Sequence, residues 1–182
     1  IDHHASPFAI KGSLTAIEKA VKETGLRACL CYELSDRDGK EAAMAGMEEN
    51  TEFIKRTGAS GGNFIKAMFG LHASFTLSNS TLEAAGELGR ALGAGFHIHA
   101  AESQSDQIFC ETHHQKRVIE RLLDLEILGP KTIAAHCVHI NEREMEILKQ
   151  TGTAVVHNPQ SNANNSVGIA DLVKMSEKGV LT

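Results

Sequence analysis

Ten histidines stand in 182 residues, and most of them close short apolar runs. The run Phe96-His97-Ile98-His99-Ala100-Ala101-Glu102 carries the most chemistry. In an extended strand successive side chains alternate, so His97 and His99 share one face while Phe96 and Ile98 share the other. Neutral imidazoles are the commonest protein ligands for metals such as zinc and iron. Glu102, just past the strand, is in reach of a water acidified by such a metal, where a carboxylate takes and returns a proton. Without a metal, Glu102 is simply a helix-leading acid or a surface carboxylate.

Two further runs end in the same way. Ala134-Ala135-His136-Cys137-Val138-His139 closes one, and Val155-Val156-His157-Asn158-Pro159-Gln160-Ser161-Asn162 the next. His136 and His157 are candidates for orienting hydroxide or substrate. Asn158, Ser161 and Asn162 have a default reading as turn residues beside a proline. His72, in Gly70-Leu71-His72-Ala73-Ser74, is either a substrate contact or a loop histidine. His3 and His4 open the chain, and only His113 and His114 fall elsewhere, near the expected start of a helix.

Strand ends alternating with helices position these groups. Helical spacing predicts Ser13 to Thr24, stopped by Gly25, and Asp38 to Thr57, stopped by Gly58. A capping box at Ser80-Thr81-Leu82-Glu83 opens a helix to about Leu92. Others are predicted over 111–128, from Asn141-Glu142-Arg143-Glu144 to Gly152, and over 169–178. Strands are predicted at 1–4, 26–34, 64–71, 96–100, 132–137 and 154–157, with one more starting at Val180-Leu181. Gly58, Gly61 and Gly62 read as a turn between helix and strand rather than a phosphate cradle.

Alternating strand and helix implies a parallel sheet covered by helices, as an open doubly wound sheet or as part of a (β/α)8 barrel. No G-x-G-x-x-G or G-x-x-x-x-G-K-[ST] follows an early strand, so the barrel is preferred. In either architecture the C-terminal strand ends carry function, and the shared edge would gather the imidazoles into one pocket.

Composition excludes other classes. The net charge is -5 and the pI about 6.1, without the basic footprint of a nucleic-acid binder. No run reaches the roughly 18 apolar residues of a membrane span, and the opening is not a signal peptide. Cys29, Cys31, Cys110 and Cys137 make no C-x-x-C or zinc-finger spacing; they read as buried free thiols rather than metal or redox groups. Reduced thiols point to the cytoplasm.

The motifs HIHAAES, AAHCVHI and VVHNPQSNANNSVG, with IDHHASPF and GLHASFTLS, resemble the amidohydrolase superfamily in its chlorohydrolase and aminohydrolase branch. That resemblance runs through the chain in order. It implies a metal-dependent (β/α)8 hydrolase with one divalent ion, zinc first and iron second. His99 would be the metal ligand on the fifth barrel strand and Glu102 the proton shuttle. His136 would hold the attacking hydroxide or bind metal. His72 would contact substrate, His97 would line the site, and His157 and Asn158 match a strand-seven motif whose role varies.

On this reading the chain holds barrel strands two to seven and the start of the eighth, as an incomplete catalytic domain over 1–182. The H-x-H of strand one and the Asp of strand eight would lie outside it, since His3-His4 is adjacent rather than alternating. The implied activity is hydrolytic deamination of a ring or amidine by metal-bound hydroxide, on a small heterocyclic or amidine-like substrate. The longer protein would be a homodimer. The chain alone is expected to be inactive and to hold metal weakly. Hydrolytic dechlorination on the same site is one alternative. A non-catalytic barrel-like binding or assembly module is another, and it requires a gene that starts near Ile1 and stops after Thr182.

Overall fold

The computed structural model describes residues 1–59, 62 and 64–182; Gly61, part of the expected glycine turn, lies outside them. Among the described residues seven parallel strands follow one another in sequence order: β1 (Asp2–His4), β2 (Ala28–Tyr32), β3 (Ile65–Ala67), β4 (Phe69–Ala73), β5 (Phe96–Ala100), β6 (Ile133–His136) and β7 (Ala154–Val156). Between them run α1 (Ser13–Thr24), α2 (Lys40–Ala59), α3 (Asn79–Ala91), α4 (Gln104–His114), α5 (Val118–Asp124) and α6 (Glu142–Thr151). Two short helices, α7 (Pro159–Asn164) and α8 (Leu172–Glu177), follow β7. This sequential parallel order is that of a (β/α) barrel wall.

Strand parity separates the two faces. Phe96, Ile98 and Ala100 of β5 join the apolar core beneath the helices with Phe69, Leu71, Leu82, Ile119, Leu122 and Leu148. A smaller cluster of Ile10, Leu14, Leu30, Tyr32, Phe53 and Ile65 sits under α1 and α2. His3 pairs in register with Cys31, and His4 with Tyr32, so His3 and Cys31 face away from that cluster.

The expected third strand is interrupted at Met68, which divides the wall into a three-stranded and a four-stranded sheet. The seam is closed by Met68 N–H donating to Leu30 O and His72 N–H to Leu34 O. Asn50, a buried residue of α2, fills it further. Its Oδ1 accepts from Tyr32 N at 2.9 Å and Gly70 N at 3.3 Å, and its Nδ2 donates to both carbonyls. Glycine is needed at position 70 because a Cβ there would lie 2.2 Å from Tyr32 O.

Several boundaries differ from the sequence expectation. The cap of α3 is Ser78, whose Oγ accepts from Thr81 N, so Ser80 lies inside the helix. Ser78 is preferred because its own N–H is held by Asp36 Oδ2 at 2.7 Å. The single helix expected over 111–128 is two. α4 starts at Gln104 and is capped after His114 by Gln115, which takes a left-handed φ of 55° with no glycine to mark it. His113 and His114 therefore close α4 rather than open a helix. Gly58 lies within α2, α8 starts at Leu172, and Asn158 to Asn162 form the cap and body of α7 instead of an open turn. The capping box at Asn141 and Glu144 is present as expected. Val155 N–H donates to Leu181 O at 2.8 Å, where an eighth strand would begin.

Candidate functional site

At the C-terminal edge of the sheet, β1, β4, β5 and β6 each contribute an imidazole to one cluster with His99 at its centre. The His99 ring centroid lies 4.7 Å from that of His3, 5.3 Å from His136, 5.6 Å from His72 and 6.1 Å from His97. Burial first, and then neighbouring histidines, with Arg37 acting on His72 and His99, lower the pKa of His72, His97 and His99 to about 4. His3 is held at about 2, chiefly by burial. All four are therefore neutral at physiological pH, with lone pairs free to bind a metal, as ligand imidazoles must be.

A cavity of about 700 Å³ opens above the cluster, lined by His72, His99, Glu102 and His136 on one side and by His157, Asn158 and the residues of α7 on the other. Glu102 leads into α4 and is partly exposed. Its Oε1 accepts from Asn165 Nδ2 at 3.1 Å, and its Oε2 lies 3.6 Å from His136 Nε2. His136 Nδ1 donates to Asn162 Oδ1 at 2.7 Å. Because that oxygen only accepts, Nδ1 carries the hydrogen and Nε2 is turned to Glu102.

The strand exits are strained in a way that aims these groups. Ala101 (φ 49°), His136 (φ 72°) and Cys137 (φ 49°) all adopt left-handed backbone without being glycine, as residues at functional sites often do. Buried side chains hold the exits in place. Arg121 donates to Ser74 O, Ser74 Oγ, Leu77 O and Asn79 Oδ1, pinning the turn after β4. Arg117 and Gln107 both donate to His139 O and to the buried Glu144 carboxylate, pinning the turn after β6. Asp106, below Glu102, accepts from Ala101 N at 2.9 Å, and burial raises its carboxyl to about 6.

The expected site residues fall in two layers. His72, His99, Glu102, His136, His157 and Asn158 line the cavity. His97 lies below it, packed on His3 with its Nδ1 3.8 Å from Cys31 Sγ. His139 is turned away, its Nε2 bonded to Val167 O, and His113 stacks on Phe109. Sequence reasoning counted His3 with the strand-end histidines but gave it no role, read Asn162 as a turn residue, and missed Glu33 and Asn165. Parity within Asp2-His3-His4 could have placed His3 inward. Glu33, one residue past β2, lies 3.7 Å from His72 Nε2 and is ion-paired with Arg37. His3, Glu33 and His99 bring one donor atom each within 4.8 Å of one another. The chain's own donors thus suit a divalent ion bound by nitrogen and oxygen.

The fold and site together define a class: a parallel α/β barrel wall whose successive strands deliver histidines and a carboxylate to one pocket, as in metal-dependent hydrolases. The chain belongs to the amidohydrolase family, whose pattern matches residues 2–181. It is 36% identical over 162 residues to a 5'-deoxyadenosine deaminase of Methanosarcina barkeri, covering 89% of this chain and 38% of the relative. It is 33% identical over 166 residues to a 5-methylthioadenosine/S-adenosylhomocysteine deaminase of Symbiobacterium thermophilum, covering 91% and 38%. Among solved structures, a zinc-bound adenosine deaminase from Xanthomonas campestris superposes with a TM-score of 0.81 at 21% identity, over 89% of this chain and 37% of that one. The chain spans well under half the length of these relatives.

Proposed function

We propose that this chain supplies most of the pocket of a zinc-dependent aminohydrolase that removes an amino group, as ammonia, from a small heterocycle of the adenine-nucleoside kind. The observation that supports it most is the convergence of His72, His99, Glu102, His136 and His157 on one cavity of about 700 Å³. The names of the relatives as deaminases of adenine nucleosides support the substrate class.

In this reading His99 would hold the metal, and His136 would either share it or orient the attacking water. The family's remaining ligands, an H-x-H and an Asp, would come from chain beyond 1–182. Zinc, when bound, lowers the pKa of water so that it attacks at neutral pH. Glu102 Oε2 takes the water's proton and returns it to the leaving nitrogen, while Asn165 anchors the other carboxylate oxygen. His136 Nε2, fixed in direction by Asn162, orients the nucleophile. His72 and Asn158 bind the heterocycle, and α7 with His157 forms the far wall of the pocket.

Region 1–182 is then part of a catalytic barrel, in a cytoplasmic homodimer that binds no nucleic acid; among the described residues no helix is long and apolar enough to cross a membrane. The test is to assay the complete product of the gene carrying this sequence on 5'-deoxyadenosine, guanine and a chlorotriazine, scoring ammonia against chloride. Ammonia release lost in Glu102→Gln is expected. Chloride release alone would convert the reading to dechlorination. Neither product, or a gene confined to these residues, would leave the non-catalytic module.

A further inference from the structure

One layer below the cavity, three strands bring a different donor set together. His3 of β1, Cys31 of β2 and His97 of β5 place one nitrogen or sulfur each within 4.8 Å of one another. Cys31 Sγ is 3.8 Å from His97 Nδ1, and the His3 and His97 rings are 4.4 Å apart. A tetrahedral zinc with Zn–S near 2.3 Å and Zn–N near 2.0 Å separates such donors by about 3.6 Å. The observed spacing is therefore within a small side-chain adjustment of a chelate.

An independent observation comes from His3. Both of its ring nitrogens are buried, and among the described residues neither has a hydrogen-bond partner. Leaving buried nitrogens in this way is costly, and proteins rarely keep them without a use. None of the cavity-lining residues belongs to this trio. Cys31 is a buried free thiol, as the sequence reading has it, and it stands beside two imidazoles.

We infer that His3, Cys31 and His97 form a second metal site, selective for a thiolate-binding divalent ion such as zinc, beneath the hydrolytic pocket. On binding, the Cys31 S–H proton passes to solvent as the S–Zn bond forms, and the two imidazoles donate lone pairs without losing a proton. The fourth position is open to water. The chain would then hold one metal firmly, in contrast to the weak binding expected from the hydrolytic ligands alone. The site does not depend on which reaction the pocket performs.

Cobalt titration of the purified chain under reducing conditions tests this. One equivalent is expected to give a near-ultraviolet thiolate-to-cobalt charge-transfer band that equimolar zinc removes. Cys31→Ser should abolish the band, His3→Gln should weaken binding at least tenfold, and Cys29→Ser and Glu33→Gln should leave the band in place. Circular dichroism checks that each variant folds. In the unaltered chain, zinc should protect Cys31 from iodoacetamide, read by mass spectrometry. Absence of the band, its survival in Cys31→Ser, or an unprotected Cys31 overturns the assignment. So does cobalt binding without a band that Glu33→Gln abolishes, which would place the ion on His3, Glu33 and His99 instead.

Discussion

His136 Nδ1 and Asn162 Oδ1 form a 2.7 Å hydrogen bond that joins the end of β6 to the body of α7. The amide oxygen selects the Nδ1–H form of the ring and leaves the Nε2 lone pair facing Glu102. Asn162→Ala removes that selection. The 15N NMR signals of the His136 ring should move from one tautomer to a mixture, with about 1 kcal/mol of stability lost. Asn162→Asp should keep the single tautomer. An unchanged ring spectrum in Asn162→Ala would show that the bond does not set the form of His136.

Asn50 ties β2 to β4 through both ends of its amide. Asn50→Leu is isosteric enough to fit but leaves Tyr32 N–H and Gly70 N–H short of a buried acceptor. At about 1–3 kcal/mol per orphaned group, urea unfolding should lose about 3 kcal/mol. A loss below about 1 kcal/mol would mean that water or neighbouring carbonyls replace the amide.

Arg121 is almost wholly buried and spends its guanidinium on the turn after β4. Arg121→Met keeps the length and removes every donor. About 3 kcal/mol of destabilisation is expected, the range seen when one partner of a buried polar network is lost. Limited proteolysis should then open residues 74–79 first. Resistance there equal to that of the parent chain would argue that the turn holds itself.

Acid should destabilise the metal-free fold, and the sign follows from the histidines. Their folded pKa values, about 2 for His3 and about 4 for His72, His97 and His99, lie below the unfolded value near 6.5. Between those limits the unfolded chain binds more protons. Stability is therefore complete above pH 6.5 and falls on acidification, by about 2 kcal/mol per imidazole at pH 5. Asp106, raised to about 6 by burial, works the other way, since its protonation favours the folded state. Glu33, whose carboxyl burial also raises, acts in the same sense as Asp106, but these are two carboxyls against four imidazoles, so the melting temperature in EDTA should drop between pH 7.5 and pH 5. A rise, or no change, contradicts the buried neutral cluster.

The strand and helix alternation was legible because each element carries its own period and punctuation. Gly25 ends α1, and the Asn141–Glu144 box opens α6, where the sequence places them. The break between α4 and α5 was hidden, because Gln115 supplies the left-handed turn without glycine or proline. Ser80 looked like the better cap because Glu83 lies three residues on; the tie from Asp36 to Ser78 comes from a distant segment and has no local signal. In the pocket, His72, His99 and His136 were visible at strand ends. His3 was hidden by His4 beside it, since only pairing with Cys31 shows which of the two turns inward. Asn162 and Asn165 look like loop residues until α7 folds back over the histidines.

The interruption at Met68 also divides the metal-binding side chains between the two sheets. His3 and Cys31 belong to the three-stranded sheet and Glu33 directly follows its β2, whereas His72, His97 and His99 belong to the four-stranded one. A breathing motion along this line, one of the partial openings that folded proteins undergo, would pull the imidazole cluster apart without unfolding either half. Any ion held by His3 together with His97 or His99 acts as a latch across the division. By linkage it would slow hydrogen exchange on both sides of that line more than in α5 or α6.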